Sequence, residues 1–165
     1  MTETIKKQKS FKKLGFSYLE TAEIVVSLNK LLANYTVHYH KLRTFHWNVD
    51  GRDFFELHEQ FEIEHNAVKE QTDTIAERIR VFGLKPRYTL QQHLNIANLK
   101  EQEKDLAPIE MVQETLNDFR IIHDSLLDVL DASLQSGDTV TEEIITQFMR
   151  RLEKRHWMFT AWAKV

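Results

Sequence analysis

Apolar residues recur along this chain in steps of three and four, the spacing of one face of an α-helix. The first such run carries Ile24, Leu28, Leu31, Tyr35, Leu42, Phe45 and Val49. Ser17 followed by Glu20 reads as a capping box that starts it, and the helix is expected to end near Asn48, before Gly51. In the second run Phe54, Phe61, Val68, Ile75 and Phe82 recur every seven residues. Asp53, with Glu56 three residues on, marks its start; Gly83 and Pro86 mark its stop. Residues 18–48 and 54–82 are thus predicted to form an antiparallel hairpin about Gly51. A long connection over 84–107 holds a short helix in "TLQQHLNIANL", capped by Thr89. Pro108 suits the first turn of a third long helix, about 108–135, with Ile109, Val112, Leu116, Phe119, Ile122, Leu126, Val129 and Leu130 on one side. After "SGDTVTEE" a fourth follows, about 140–162, with Ile144, Ile145, Phe148, Leu152 and Phe159 inward.

Two hairpins joined by one long crossover define an all-α, ferritin-like four-helix bundle over residues 17–165, with a short helix in the crossover between the second and third helices. Only 4 Gly and 2 Pro interrupt the chain, which agrees with long helices. The absence of cysteine excludes disulfides and thiolate metal sites and fits a reducing, cytoplasmic setting. No stretch of about twenty apolar residues is present, so no membrane span is expected. Net charge is −3 but unevenly placed. Lys6, Lys7, Lys9, Lys12 and Lys13 fall in a basic stretch of the segment 1–16, read as a mobile tail. Such an arm is either a solvated tail or a contact for DNA.

The chemistry gathers at "FHWNVDGRDFFELHEQFE". His46 and His58 are symmetric about Arg52 and should sit side by side on adjacent helices. Glu62 lies one turn beyond His58. Imidazole with carboxylate is a ligand mixture for iron, zinc or manganese. The same helix carries Asp73 and Glu77, nearly on the same face. The midpoints of the two pairs are roughly 22 Å apart along the axis, too far for one metal within one chain. However, His58 and Glu77 are equidistant from the point between Ala67 and Val68, and so are Glu62 and Asp73. Two copies of the helix crossing antiparallel there, on a two-fold axis, would bring His58 to Glu77 and Glu62 to Asp73 of the second copy. Each dimer would hold two sites of two histidines and three carboxylates. A competing arrangement uses Glu62-x-x-His65 and Glu153-x-x-His156 inside one bundle. It also needs a first-helix carboxylate near residue 42, and no Asp or Glu occurs between Glu23 and Asp50.

The segments "FHWNVDG", "FFELHEQFE", "DTIAER" and "HWMF" resemble the Dps family, the mini-ferritins also called DNA-binding proteins from starved cells. The resemblance spans about residues 18 to 162. The family pattern of His, His, acid, Asp and Glu is met by His46, His58, Glu62, Asp73 and Glu77, although the middle acid is commonly Asp. The resemblance implies a hollow dodecamer with ferroxidase sites between two-fold related subunits. It also implies oxidation of Fe(II), preferably by hydrogen peroxide, and storage of ferric mineral. Trp47 adjoins the site in the family, where an indole could intercept radicals; core packing is the plainer expectation. Trp157 and Trp162 read as structural. His65 is either an extra outer ligand or a hydrogen-bonded interface histidine. Asp138, Glu142 and Glu143 are candidates for an acidic iron-entry pore, or for complementing a helix dipole.

Overall fold

The computed structural model describes residues 17–164, excepting the side chains at 18–20. The lysines before residue 14 and the Glu20 half of the first capping box lie outside the described residues. Five helices follow in order: α1 (Tyr18–Asn48), α2 (Phe54–Val81), α3 (Leu90–Ile96), α4 (Pro108–Ser136) and α5 (Thr139–Trp162). No strand occurs among the described residues. α1 packs on α2 and on α4, α4 packs on α5, and the short α3 lies against α1. The expected all-α bundle with its crossover helix is what the chain forms.

The apolar seams meet in the centre. Ile24, Leu28, Leu31 and Leu42 of α1 are buried with Phe61, Val68 and Ile75 of α2. Val112, Phe119, Ile122 and Leu126 of α4 close the core with Ile145, Phe148 and Phe159 of α5. Local chemistry sets the boundaries. Gly51 turns the α1–α2 hairpin at φ 84°, and Gly137 ends α4 at φ 70°, backbone angles that suit glycine. Thr89 caps α3 in a full capping box with Gln92. Pro108 opens α4, and the Ala107 N–H donates to Glu110 Oε2 at 2.8 Å. Asp53 holds the N-cap position of α2, but its side chain makes no capping bond; its backbone carbonyl accepts from Leu57 N at 2.9 Å.

The core is not wholly apolar. Glu64 is completely buried and receives Arg151 through two guanidinium nitrogens, at 2.9 and 3.1 Å, together with Arg155 Nε. A second buried group joins Lys41 Nζ to Asp118 at 2.7 Å and to Glu114 at 2.5 Å, with His38 Nδ1 on the other Asp118 oxygen at 2.9 Å. Burial of such charges is tolerable only because each has partners. These networks tie α1 to α4 and α2 to α5.

Asp138 is the third buried carboxylate. It caps α5 through Thr141 N at 3.2 Å and the Thr141 hydroxyl, and Arg78 Nη2 donates to it at 2.6 Å. Burial pushes this carboxyl up, but the hydrogen bonds from Arg78 and Thr141, with the guanidinium charge, outweigh burial and hold it below the ordinary carboxylate range. A carboxyl depressed in the folded state stabilises above its unfolded pKa, near ~4, and loses that contribution as pH falls through the folded value. Asp138→Asn is therefore expected to lower stability by about 1–3 kcal/mol at neutral pH. The difference should narrow as pH falls below the ordinary carboxylate range and through the lowered folded value. Urea midpoints of both proteins across a descending pH series from pH 7 check this.

Candidate metal centre

α1 ends and α2 begins so that His46 and His58 face each other across the hairpin. Their rings stack, with centroids 3.8 Å apart and planes 24° from parallel. His46 Nδ1 lies 2.9 Å from the His58 carbonyl oxygen, and His58 Nδ1 lies 2.7 Å from the His46 carbonyl oxygen. A carbonyl oxygen only accepts, so each Nδ1 carries the proton. In the neutral imidazole each Nε2 then holds a bare lone pair, the form that binds a metal. Fixing a ligand's tautomer by a hydrogen bond at its other nitrogen is the usual second layer of a metal site. Here the backbone of the partner histidine supplies it, reciprocally. The symmetry about Arg52 anticipates the pairing; the acceptors leave no mark in the side-chain sequence.

Phe54 stacks on the outer face of His58 at 4.9 Å. His65 meets His46 edge-on at 5.3 Å and Tyr39 edge-on at 6.0 Å. Burial and the neighbouring His46 push His65 below the ordinary histidine range against the opposing pull of Glu62, and Arg43 adds to the lowering. The Arg43 guanidinium lies over the Tyr39 ring at 5.2 Å and over Trp47 at 4.7 Å. Trp47 is 57% exposed, so it is not a core residue of this chain; position 47 falls off the seam marked by Phe45 and Val49. Trp157 is likewise 66% exposed, whereas Trp162 packs against the core.

Glu62, Asp73 and Glu77 all stand exposed on α2, as does Lys69 between them. Among the described residues no three His, Asp or Glu side chains of the single chain converge to enclose a metal. His46 and His58 are half-buried at the end of the hairpin, and Glu62 stands exposed one turn beyond His58. The alternative inside the bundle does not form: the Glu153 side chain is 64% exposed beside His123, and the carboxylate that α2 buries is Glu64, already engaged by two arginines. Sequence reading passed over Glu64, although its spacing from Phe61 and Val68 puts it on the buried seam.

Of the acids at the start of α5, Glu143 is exposed and Glu142 half-buried. Asp138 is buried and bound to Arg78, and within the chain it serves as the N-cap of α5. No described helix is long and apolar enough to cross a membrane.

Comparison with known proteins settles the family. The ferritin-like domain model matches residues 26–165. A DNA protection during starvation protein from Brevibacillus brevis is 37% identical over 138 residues, 84% of this chain and 93% of that protein. General stress protein 20U from Bacillus subtilis is 35% identical over 140 residues, 85% of this chain and 97% of that protein. The chain belongs to the Dps family. Among solved structures, the Dps protein from Vibrio cholerae superposes with a TM-score of 0.88 at 32% identity, covering 91% of this chain and 94% of that one. That protein is described as a member of a superfamily of ferritin-like diiron-carboxylate proteins. The five helices reported above are thus the Dps fold, and the stacked histidines sit at its first hairpin.

Proposed function

We propose that this Dps protein is a ferroxidase that binds Fe(II) between two-fold related copies, oxidises it with hydrogen peroxide, and retains ferric mineral within a hollow homo-oligomeric shell, a dodecamer. The observation that carries this is the reciprocal bonding of His46 and His58, which prepares two adjacent imidazole nitrogens for a metal. The exposure of Glu62, Asp73 and Glu77 along one helix supports completion by a second copy. Under that reading, Asp73 and Glu77 of the second copy supply the carboxylates that this chain's histidines lack, and Glu62 lies between.

Iron here is the substrate. Mixed imidazole and carboxylate ligands hold Fe(II) and leave positions for an oxidant. The anionic oxygens favour the product, Fe(III), over the reactant. Two Fe(II) each give one electron to one peroxide; the O–O bond breaks, two protons are taken up, and two waters leave. No single electron is then left to make hydroxyl radical, which is how the chemistry protects DNA and cell. Anaerobic Fe(II) with measured peroxide additions tests the stoichiometry. About two irons oxidised per peroxide, without spin-trapped radical, is expected. One iron per peroxide with radical release contradicts the reading. Glu142 and Glu143 remain the candidates for drawing cations towards the interior.

A second role on the surface is favoured by the five lysines before residue 14. Many basic tails on one particle would bind DNA by avidity, with strong salt dependence. In a gel shift at low salt, removal of residues 1–13 should abolish retardation. Equal retardation of both forms removes this role.

A further inference from the structure

The site carries one imidazole more than the shared-site reading uses. His65 lies on α2 three residues after Glu62, on the same helical face. Its ring edge meets the His46 ring at 5.3 Å, so three imidazoles form one contiguous group. His46 and His58 both have a hydrogen-bond partner for Nδ1, whereas the Nδ1 of His65 is buried and has none. A buried imidazole nitrogen without a partner is rare and calls for an ion or a water. Its neighbours are Tyr39 and His46, neither of which bonds to that nitrogen. The nearby cation does not block the position: Arg43 is drawn over the faces of Tyr39 and Trp47.

We propose that His65 is a metal ligand, serving with Glu62 a second divalent-cation position beside the one held by His46 and His58. This rests on the shared-site reading above, because the partner copy must still supply acids. Glu-x-x-His on one helix turn presents an oxygen and a nitrogen to the same side, a pairing used repeatedly for iron-type cations. The cation preferred would be of the borderline class, Fe(II), Co(II) or Zn(II), for which imidazole is suited. The second position would then carry a nitrogen donor of its own and hold its cation before oxidant arrives.

Co(II) is the probe, added without oxygen to the full-length assembled protein, with binding counted by equilibrium dialysis and coordination read by cobalt-edge X-ray absorption. The wild type is expected to take two Co(II) per site with three imidazoles between them. His65→Leu should weaken the second Co(II) at least tenfold, leave the first within twofold, and reduce the imidazole count to two. His58→Ala should weaken the first. If His65→Leu takes both cations as the wild type does, or the wild type takes only one, the proposal is wrong while the shared site stands. If His58→Ala also leaves binding unchanged, the shared site fails with it. Where His65→Leu does not assemble, His65→Asn serves in its place with the same expected loss.

Discussion

His58→Ala is expected to abolish rapid Fe(II) oxidation while leaving the helical bundle intact. The substitution removes one imidazole and exposes the His46 carbonyl that bonded it at 2.7 Å. Loss of a group that merely orients a metal ligand commonly costs 10–100-fold in affinity or activity, so loss of a ligand should cost at least about 100-fold. The same loss is expected for Asp73→Ala, although that side chain lies on the exposed face of α2 and contributes little to the single chain's own packing. Stopped-flow ferric absorbance after peroxide addition to Fe(II)-loaded protein reads both. The ring stacking matters as well. His58 also packs against Phe54, so circular dichroism should accompany the kinetics to show that the hairpin persists.

The largest effect on stability is expected from Glu64→Gln. The change is nearly isosteric and opens little cavity, so it isolates charge. Glu64 has no exposure and holds Arg155 and Arg151 together between α2 and α5. Neutralising it leaves two guanidinium groups facing each other in or near the core. Breaking a buried pair from one side typically costs about 3–5 kcal/mol. At roughly 2–4 °C per kcal/mol for a chain of this size, the melting temperature should fall by about 10 °C. Replacing Glu64, Arg151 and Arg155 together by leucine and methionines should recover most of that loss, because a desolvated ion pair and a packed apolar group are of similar worth. A triple variant no better than Glu64→Gln would mean that the network contributes more than charge balance.

Both effects rest on residues of very different legibility. The α1–α2 hairpin was readable because Phe61, Val68, Ile75 and Phe82 keep a seven-residue period and Gly51 marks the turn. The placement of His46 beside His58 followed from counting about Arg52, and the rings do stack. What periodicity treats poorly is a polar residue on an apolar face. Lys41, Asp118, His38 and Glu64 are all buried, yet a charged residue reads as surface unless its partner is known. Those partners are 77 to 91 residues away in sequence, a separation that spacing rules cannot bridge. Asp138 shows the same limit, since its role is set by Arg78 from another helix. Conversely, core packing is the plainer expectation for Trp47 and a structural role for Trp157, yet each is exposed in this chain. Asp53 takes the N-cap position expected of it without making the side-chain bond that motivated the expectation.

The shared site is the central claim, and mixed assemblies test it most directly. His58→Ala and Asp73→Ala proteins would be unfolded together and co-assembled, then loaded with Fe(II) and given peroxide. If histidines and acids come from different copies, each alone is inactive, but a two-fold pair containing one of each variant has one intact site. Random pairing then restores about a quarter of the wild-type fast phase. No recovery, with both variants shown to be present in the same particles, would mean that His58 and Asp73 do not act across a subunit boundary.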